Sequence, residues 1–329
     1  MTVEPDKLMF RAGRKLRRLG LAALAFPFRP RDRKIVPDLR RGLPALGQRL
    51  APPYFHGVYG SMAEAARDCG NPFDSAPWVE TAEFVTRSLL ARTRSANFVV
   101  DVHLIPFATL VADLAARRNH VRVLDFGGGQ GDNFIQLQAA IDDSLKSKIE
   151  YHIVDTPNNC KAGELLLAEF GGRVSFHRAD PDHGVHYEPS ARGVYDITML
   201  CGTLMYIDGW KELLADLAAR TSDYLYITRT LHTSAAPTFY ANQFIVPSVG
   251  PWAGKYIGRI ATAIISPAEI EDLAAREGFT PSLDALLFAY DHRMSSNAPP
   301  YNQIFQAMTC FSKRPPLNDS PEINARLAH

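Results

Sequence analysis

Three aspartates, Asp125, Asp155 and Asp180, each close a short run rich in β-branched and aromatic residues, and Gly127, Gly128, Gly129 and Gly131 follow the first of them. An acid at the C-terminal end of a parallel strand can accept both hydroxyls of a ribose. A glycine turn lets a ligand approach the main chain with no Cβ in the way and with φ > 0 available. The chemistry on offer is therefore the holding of an adenosine-like molecule at a sheet edge. The dinucleotide fingerprint G-x-G-x-x-G fails here, because its third glycine falls on Asp132 when counted from Gly127 and on Phe134 when counted from Gly129. No Gly-Lys-Ser/Thr follows, so the P-loop pattern fails as well. Carboxylates this close to a pyrophosphate would repel it, and more strongly in a water-poor cleft. A cationic, phosphate-free ligand reverses the sign of that interaction.

The elements that position these residues alternate between strand and helix. Residues 121–124 lead into Asp125 as a first parallel strand, and a helix is expected over 133–145. A second strand over 148–155 ends in Asp155, and a third over 173–179 ends at Asp180. A fourth over 195–202 carries Cys201 and Gly202 to the crevice, and a fifth over 224–229 ends in Arg229, followed by Thr230, Leu231 and His232. Helices are expected at 162–170 and 210–220. Residues 233–265 form a connection long enough to be a lid. Ser266 with Glu269 then reads as a capping box, and strands over 281–290 and 303–312 close the sheet. Ahead of the first strand, Ser61 with Glu64 caps a helix, and further helices over 78–92 and 103–118 form a helical cap. The expected fold is α/β, a Rossmann-like, seven-stranded, mostly parallel sheet, with that cap and a long lid after strand five. The division is a basic arm at 1–50, a helical cap at 51–118, the ligand-binding domain at 119–314 with its lid at 233–265, and a loose tail at 315–329.

Charge is uneven along the 329 residues. The first fifty hold 13 Lys/Arg against 4 Asp/Glu, a charge of +9 in a chain of +1, so the remainder carries −8. Residues 7–26 place apolar and basic side chains on opposite helical faces, which suits an anionic membrane surface; a solvated basic arm has the same composition. The apolar part is too short to span a bilayer. A cytoplasmic protein is the expectation, with peripheral contact at the inner face of the membrane through residues 7–26 as the alternative to a solvated or docked arm. Cys69, Cys160, Cys201 and Cys310 form no CxxC pair, so no disulfide framework or zinc site is expected. The loop from Asp180 to His186 has two acids and two histidines but no helix to fix their spacing. No metal is expected there.

The run from Val123 to Gly131 resembles the first motif of the Rossmann-like S-adenosylmethionine-dependent methyltransferases. The body, over roughly residues 50–312, resembles one bacterial family of these enzymes often associated with surface-polysaccharide biosynthesis. Phe55-His56-Gly57-Val58-Tyr59, Ile153-Val154-Asp155, Gly202-Thr203-Leu204-Met205-Tyr206-Ile207, Thr228-Arg229-Thr230 and Gln243 carry that resemblance. It implies S-adenosylmethionine as cofactor, with Asp125, Gly127, Gly128, Gly129, Gly131, Asp155, Cys201 and Gly202 around it and Asp180 accepting from the adenine amino group. It also puts Tyr206 beside the transferred methyl, a position that a packed core tyrosine would fill equally well.

Methyl transfer from a sulfonium is an in-line displacement, in which an enzyme mainly aligns the partners. A hydroxyl acceptor also needs a base. His232, at the end of strand five, is the expected base, with Tyr206 and Arg229 positioning the acceptor; a lid-hinge role is the alternative for His232. No Asn-Pro-Pro-Tyr-like run follows strand four and no basic groove or nucleic-acid module marks the body, so nucleic acid is not an expected partner. O-methylation of a sugar or other small hydroxylated molecule, a glycan included, leads. A non-catalytic adapter built on the same fold, and an S-adenosylmethionine-using enzyme of different chemistry, stand as the alternatives.

Overall fold

A computed structural model of the chain describes residues 54–93, 98–180, 187–188, 191–290 and 295–313. All belong to the compact unit that begins at Pro53. The basic arm at 1–50 with its helix at 7–26, the loop at 181–186 and the tail at 315–329 lie outside the described residues.

The strands are β1 (Phe55–Tyr59), β2 (Val121–Phe126), β3 (Ile149–Asp155), β4 (Val174–Arg178), β5 (Tyr195–Cys201), β6 (Thr221–His232), β7 (Phe239–Ile245), β8 (Gly258–Ile264), β9 (Thr280–Ala289) and β10 (Phe305–Ser312). The main helices are α1 (Ala76–Thr93), α2 (Ile105–Arg117), α3 (Asp132–Ala140), α4 (Pro157–Leu166), α5 (Trp210–Ala219) and α6 (Pro267–Arg276). Seven strands make one sheet in the order β4-β3-β2-β5-β6-β10-β9. The run from β4 to β6 is parallel, and β10 is antiparallel to both of its neighbours. This is the expected Rossmann-like α/β sheet. Its strand order reverses between β2 and β5, which opens a crevice at their C-terminal ends.

Strand β2 shows why the sheet forms. A parallel strand covered on both faces needs apolar residues on both. Val121 and Val123 pack with Phe107, Val111 and Phe134 of α2 and α3. Leu124 and Phe126 pack with Trp210, Leu213 and Leu217 of α5 on the other face. Burying each large side chain contributes about 1.5–3 kcal/mol. Alternation puts Asp125 on the α3 side, directly ahead of the glycine turn.

Two helical expectations shift. Helix α3 stops at Ala140 rather than continuing to 145, because Ile141 is extended and Asp142 caps a separate turn by accepting from the Ser144 N–H at 2.9 Å. Ser61 does cap its helix, accepting from the Glu64 N–H at 3.1 Å, while Glu64 Oε2 accepts from the Gly60 N–H at 3.0 Å. Ser266 makes no side-chain cap; Glu269 is drawn instead to Lys211 at 2.5 Å.

The larger difference lies above the crevice. The helical cap and the lid were expected as separate parts, yet β1, β7 and β8 pair into one antiparallel sheet. Phe55 pairs with Gln243, and Tyr240 with Ala263. In β7 only Tyr240 and Phe244 are half-exposed, and Phe239, Ala241, Asn242, Gln243 and Ile245 are buried, a strand hidden among glycines and prolines. Trp252, past the end of β7, donates its indole N–H to Glu80 of α1 at 2.8 Å, so this roof also reaches the helical part of the cap. Among the described residues, no helix is long and apolar enough to cross a membrane.

Candidate active site

The glycine turn is built largely for the protein's own packing. Gly127 has φ +76°, and a Cβ there would fall 2.0 Å from Thr203 Oγ1. A Cβ on Gly128 would meet the Asp125 carboxylate at 2.6 Å, and one on Gly131 would meet Leu167 at 2.4 Å. Only Gly129, with φ +60°, has nothing within 4 Å of its Cβ position. Of the four glycines, it is the one that faces open space.

Asp125 is fully buried. Its Oδ2 accepts from Tyr151 Oη at 2.9 Å and from Asn133 Nδ2 at 3.1 Å, whereas its Oδ1 is buried with no hydrogen-bond partner. Burial pushes this carboxyl up to about 7, against the two hydrogen bonds that hold it down. Asp155, at the end of β3, has its carboxylate bound by the Gly129 N–H at 2.7 Å, the Thr156 N–H at 2.8 Å and Asn159 Nδ2 at 2.8 Å. It therefore fixes the one glycine that faces open space. Burial raises it too, opposed by those three donors. Asp180 follows β4 and is exposed. The three acids thus occupy consecutive strand ends β2, β3 and β4, with β3 and β4 in register from Tyr151↔Val174 to Asp155↔Arg178.

Across the crevice, Cys201 ends β5 and its thiol lies within hydrogen-bond reach of Asn133 and Arg229; burial raises it to about 11, so it remains a neutral thiol. Gly202 has φ +66°, and its N–H donates to Thr228 O at 2.8 Å. Tyr206 sits in the turn Leu204–Tyr206, with its ring 4.7 Å from that of Phe73 and its hydroxyl donating to Gln243 Oε1 at 2.9 Å. The bond ties the crevice to the cap sheet. Arg229 keeps the exposure of a surface residue; it lies within hydrogen-bond reach of Cys201 and in the field of Tyr206, Asp101 and Tyr290.

His232 is placed elsewhere. It is 4 % exposed, its Nδ1 donates to Ile265 O at 3.1 Å, and its ring rests 5.6 Å from that of Phe305. Burial holds it down at about 4. These contacts fasten β6 to the segment leaving β8, so the structure does not bring His232 together with Tyr206 and Arg229 in the open crevice. The histidine within range of the Arg229 charge is His103, in the turn Val102–Leu104 that precedes α2. It is held near 4, first by burial and then by the Arg229 charge, with Asp101 opposing, so it is neutral at pH 7. Its ring makes no hydrogen bond among the described residues, and Asp101 is held to α3 by Gln136 Nε2 at 3.2 Å.

Several of these residues escaped the sequence. Asn133 and Asp132 open α3 directly after the turn, and Asp132 accepts from Thr86 Oγ1 at 2.5 Å. Asn159 lies one helical turn after Asp155, a spacing that could have been found. Asp101, His103, Tyr54 and Tyr290 come from connections that only the fold brings near; the stacked rings of Tyr54 and Tyr290 are 5.9 Å apart.

No family model and no curated protein sequence matches the chain. Among solved structures it is similar to the N-terminal domain of EvdMO1, crystallised in the presence of SAH and D-fucose, at 14% identity, covering 70% of this chain and 96% of that one, with a TM-score of 0.42. It is also similar to the 1,6-didemethyltoxoflavin-N1-methyltransferase of Burkholderia thailandensis (16% identity, 71% and 89% covered, TM-score 0.40) and to an S-adenosylmethionine-dependent methyltransferase from Clostridium acetobutylicum (10%, 70% and 98%, TM-score 0.41). The fold class follows from the strand order of the sheet, not from these likenesses.

Proposed function

We propose that this protein is an S-adenosylmethionine-dependent methyltransferase that methylates a hydroxyl of a sugar or similar small molecule. The observation that carries the proposal is the buried, partnerless Oδ1 of Asp125, at the strand end that leads into the glycine turn with its one open position at Gly129. A buried carboxylate oxygen without a donor is costly unless a ligand supplies one, and an ammonium does so with a charge of the right sign. Asp125 would hold that ammonium, Asp155 the ribose hydroxyls and Asp180 the adenine amino group. The cofactor, when bound, supplies an electrophilic methyl on a sulfonium. The chain's own residues do the rest. Tyr206, fixed by Gln243, and Arg229 orient the acceptor, the β1-β7-β8 sheet shields the crevice from water, and His103 is the neutral imidazole available to take the acceptor's proton. A role in surface-glycan or secondary metabolism, in the cytoplasm or at the inner membrane face, accords with the basic arm.

Calorimetry of S-adenosylhomocysteine binding tests the cofactor assignment. Wild type should bind, and Asp155→Ala should bind about 100-fold more weakly, since two charge-assisted hydrogen bonds are worth about 3 kcal/mol together. A wild type that does not bind removes the proposal. A contrast of histidines tests the base. His103→Gln should lower turnover at least tenfold with S-adenosylhomocysteine affinity within about threefold, as expected for general-base loss. His232→Gln should instead lower the melting temperature and leave measurable turnover. The reverse pattern would restore His232 as the base.

A further inference from the structure

Arg229 is the backbone outlier of the crevice. Thr228 pairs with Met308 and Thr230 with Ala307, which leaves Arg229 as the extra residue of a bulge, at φ +58°. It is the positive-φ non-glycine among the described residues. Holding a long side chain in that region costs about 1–2 kcal/mol, and a bulge is a device for re-aiming a side chain. Here it brings the guanidinium within hydrogen-bond reach of the Cys201 thiol at the end of β5, with the Arg229 Cβ 3.7 Å from where a Cβ on Gly202 would lie. Arg87, Arg117, Arg118, Arg122, Arg178 and Arg220 each meet a carboxylate in an ion pair. Arg229 meets none among the described residues; Asp101 acts on it only through its field.

The surroundings say what it would take. A guanidinium offers a planar fork of donors that matches two oxygens of a carboxylate or phosphate. The Tyr206 ring, 4.7 Å from that of Phe73, and the Tyr290 ring, 5.9 Å from that of Tyr54, lie within the range of its charge. Asp125 and Asp155 close β2 and β3, whereas Asp101 and Asp132 lie within range of the Arg229 charge without meeting it in an ion pair. The chain from residue 51 onward carries −8, so an anionic ligand needs a fixed cation where it docks.

Building on the function proposed above, we infer that the methyl acceptor is an anionic ring compound whose carboxylate or phosphate is held by the Arg229 guanidinium against the Tyr206 and Tyr290 rings. The test uses the full chain and three probes, D-glucuronate, D-glucose 6-phosphate and D-glucose, titrated by NMR with and without saturating S-adenosylhomocysteine. Two variants accompany wild type. Arg229→Gly removes the cation and relieves the positive φ, so it should fold at least as well, and Arg229→Lys keeps the charge without the fork. Wild type should bind at least one anionic sugar tenfold or more tightly than glucose, whether the carboxylate or the phosphate. That preference should fall below threefold in Arg229→Gly and be intermediate in Arg229→Lys, with S-adenosylhomocysteine affinity unchanged within threefold. Three results would overturn the inference: no preference in wild type, a preference that survives Arg229→Gly, or a tenfold loss of S-adenosylhomocysteine affinity in that variant, which would assign the guanidinium to the cofactor's own carboxylate. A wild type that prefers anionic sugars but binds no S-adenosylhomocysteine keeps the anion site and removes the methyltransferase.

Discussion

Asp125→Asn should make the ligand-free protein more stable at pH 8 and, in the same variant, weaken S-adenosylhomocysteine binding by tenfold or more. The native carboxyl sits near 7, against an ordinary 3.8, chiefly because it is buried. The folded state therefore holds its proton more tightly than the unfolded state does. Stability falls as pH rises from about 4 towards 7, and the full cost, on the order of 4 kcal/mol, is present above 7. Asparagine keeps an oxygen for Tyr151 and Asn133 but has no charge to bury. Melting curves of wild type and variant should thus diverge at pH 8 and converge towards pH 4. A variant that is equally or less stable at pH 8 would show that Asp125 is not a strained charge. On the function proposed above, a cofactor ammonium would offset that strain in wild type, and the variant would give up this attraction.

Gly127→Ala should destabilise the fold by about 3 kcal/mol or more, as expected from a positive φ combined with overpacking. Its new Cβ would fall 2.0 Å from Thr203 Oγ1, 2.3 Å from Cγ2 and 2.6 Å from Cβ. All three atoms vanish in Thr203→Gly, so the double variant should recover the steric part and retain only a φ cost of about 1–2 kcal/mol. Gly129→Ala has the same class of φ but open space above it, and should show that smaller stability loss together with a large loss of cofactor affinity. Denaturant unfolding and calorimetry separate the two glycines. If Gly127→Ala unfolds at the same denaturant concentration as wild type, the close approach to Thr203 is not real.

These two experiments also mark how far the residues alone could lead. The strand-end acids at 125, 155 and 180 were legible because a parallel strand and the turn after it are local in sequence, and so was the sheet they belong to. The reason for each glycine was not, since Thr203 and Leu167 reach the turn only through tertiary packing. His232 looked like a base because it follows strand five. A register set by Phe305 and a carbonyl at Ile265 buries it instead, and neither is visible from residue 232. His103 and Asp101 gave no signal, lying in a connection before the first strand of the main sheet. The cap was misread for a similar reason. The strand character of 55–59 shows only when 239–245 lies beside it.

That pairing has a consequence for the order in which the molecule can be assembled. Phe55 and Gln243 are partners across most of the described chain. As the chain emerges during synthesis, the glycine-turn corner from β2 to β5 can close on short loops, while β1 waits for a partner made far later and closes a long one at greater entropic cost. The corner that carries Asp125 and the glycine turn is therefore complete before the sheet that roofs it exists. Changes in β7 and β8 can alter the roof without disturbing the corner beneath it.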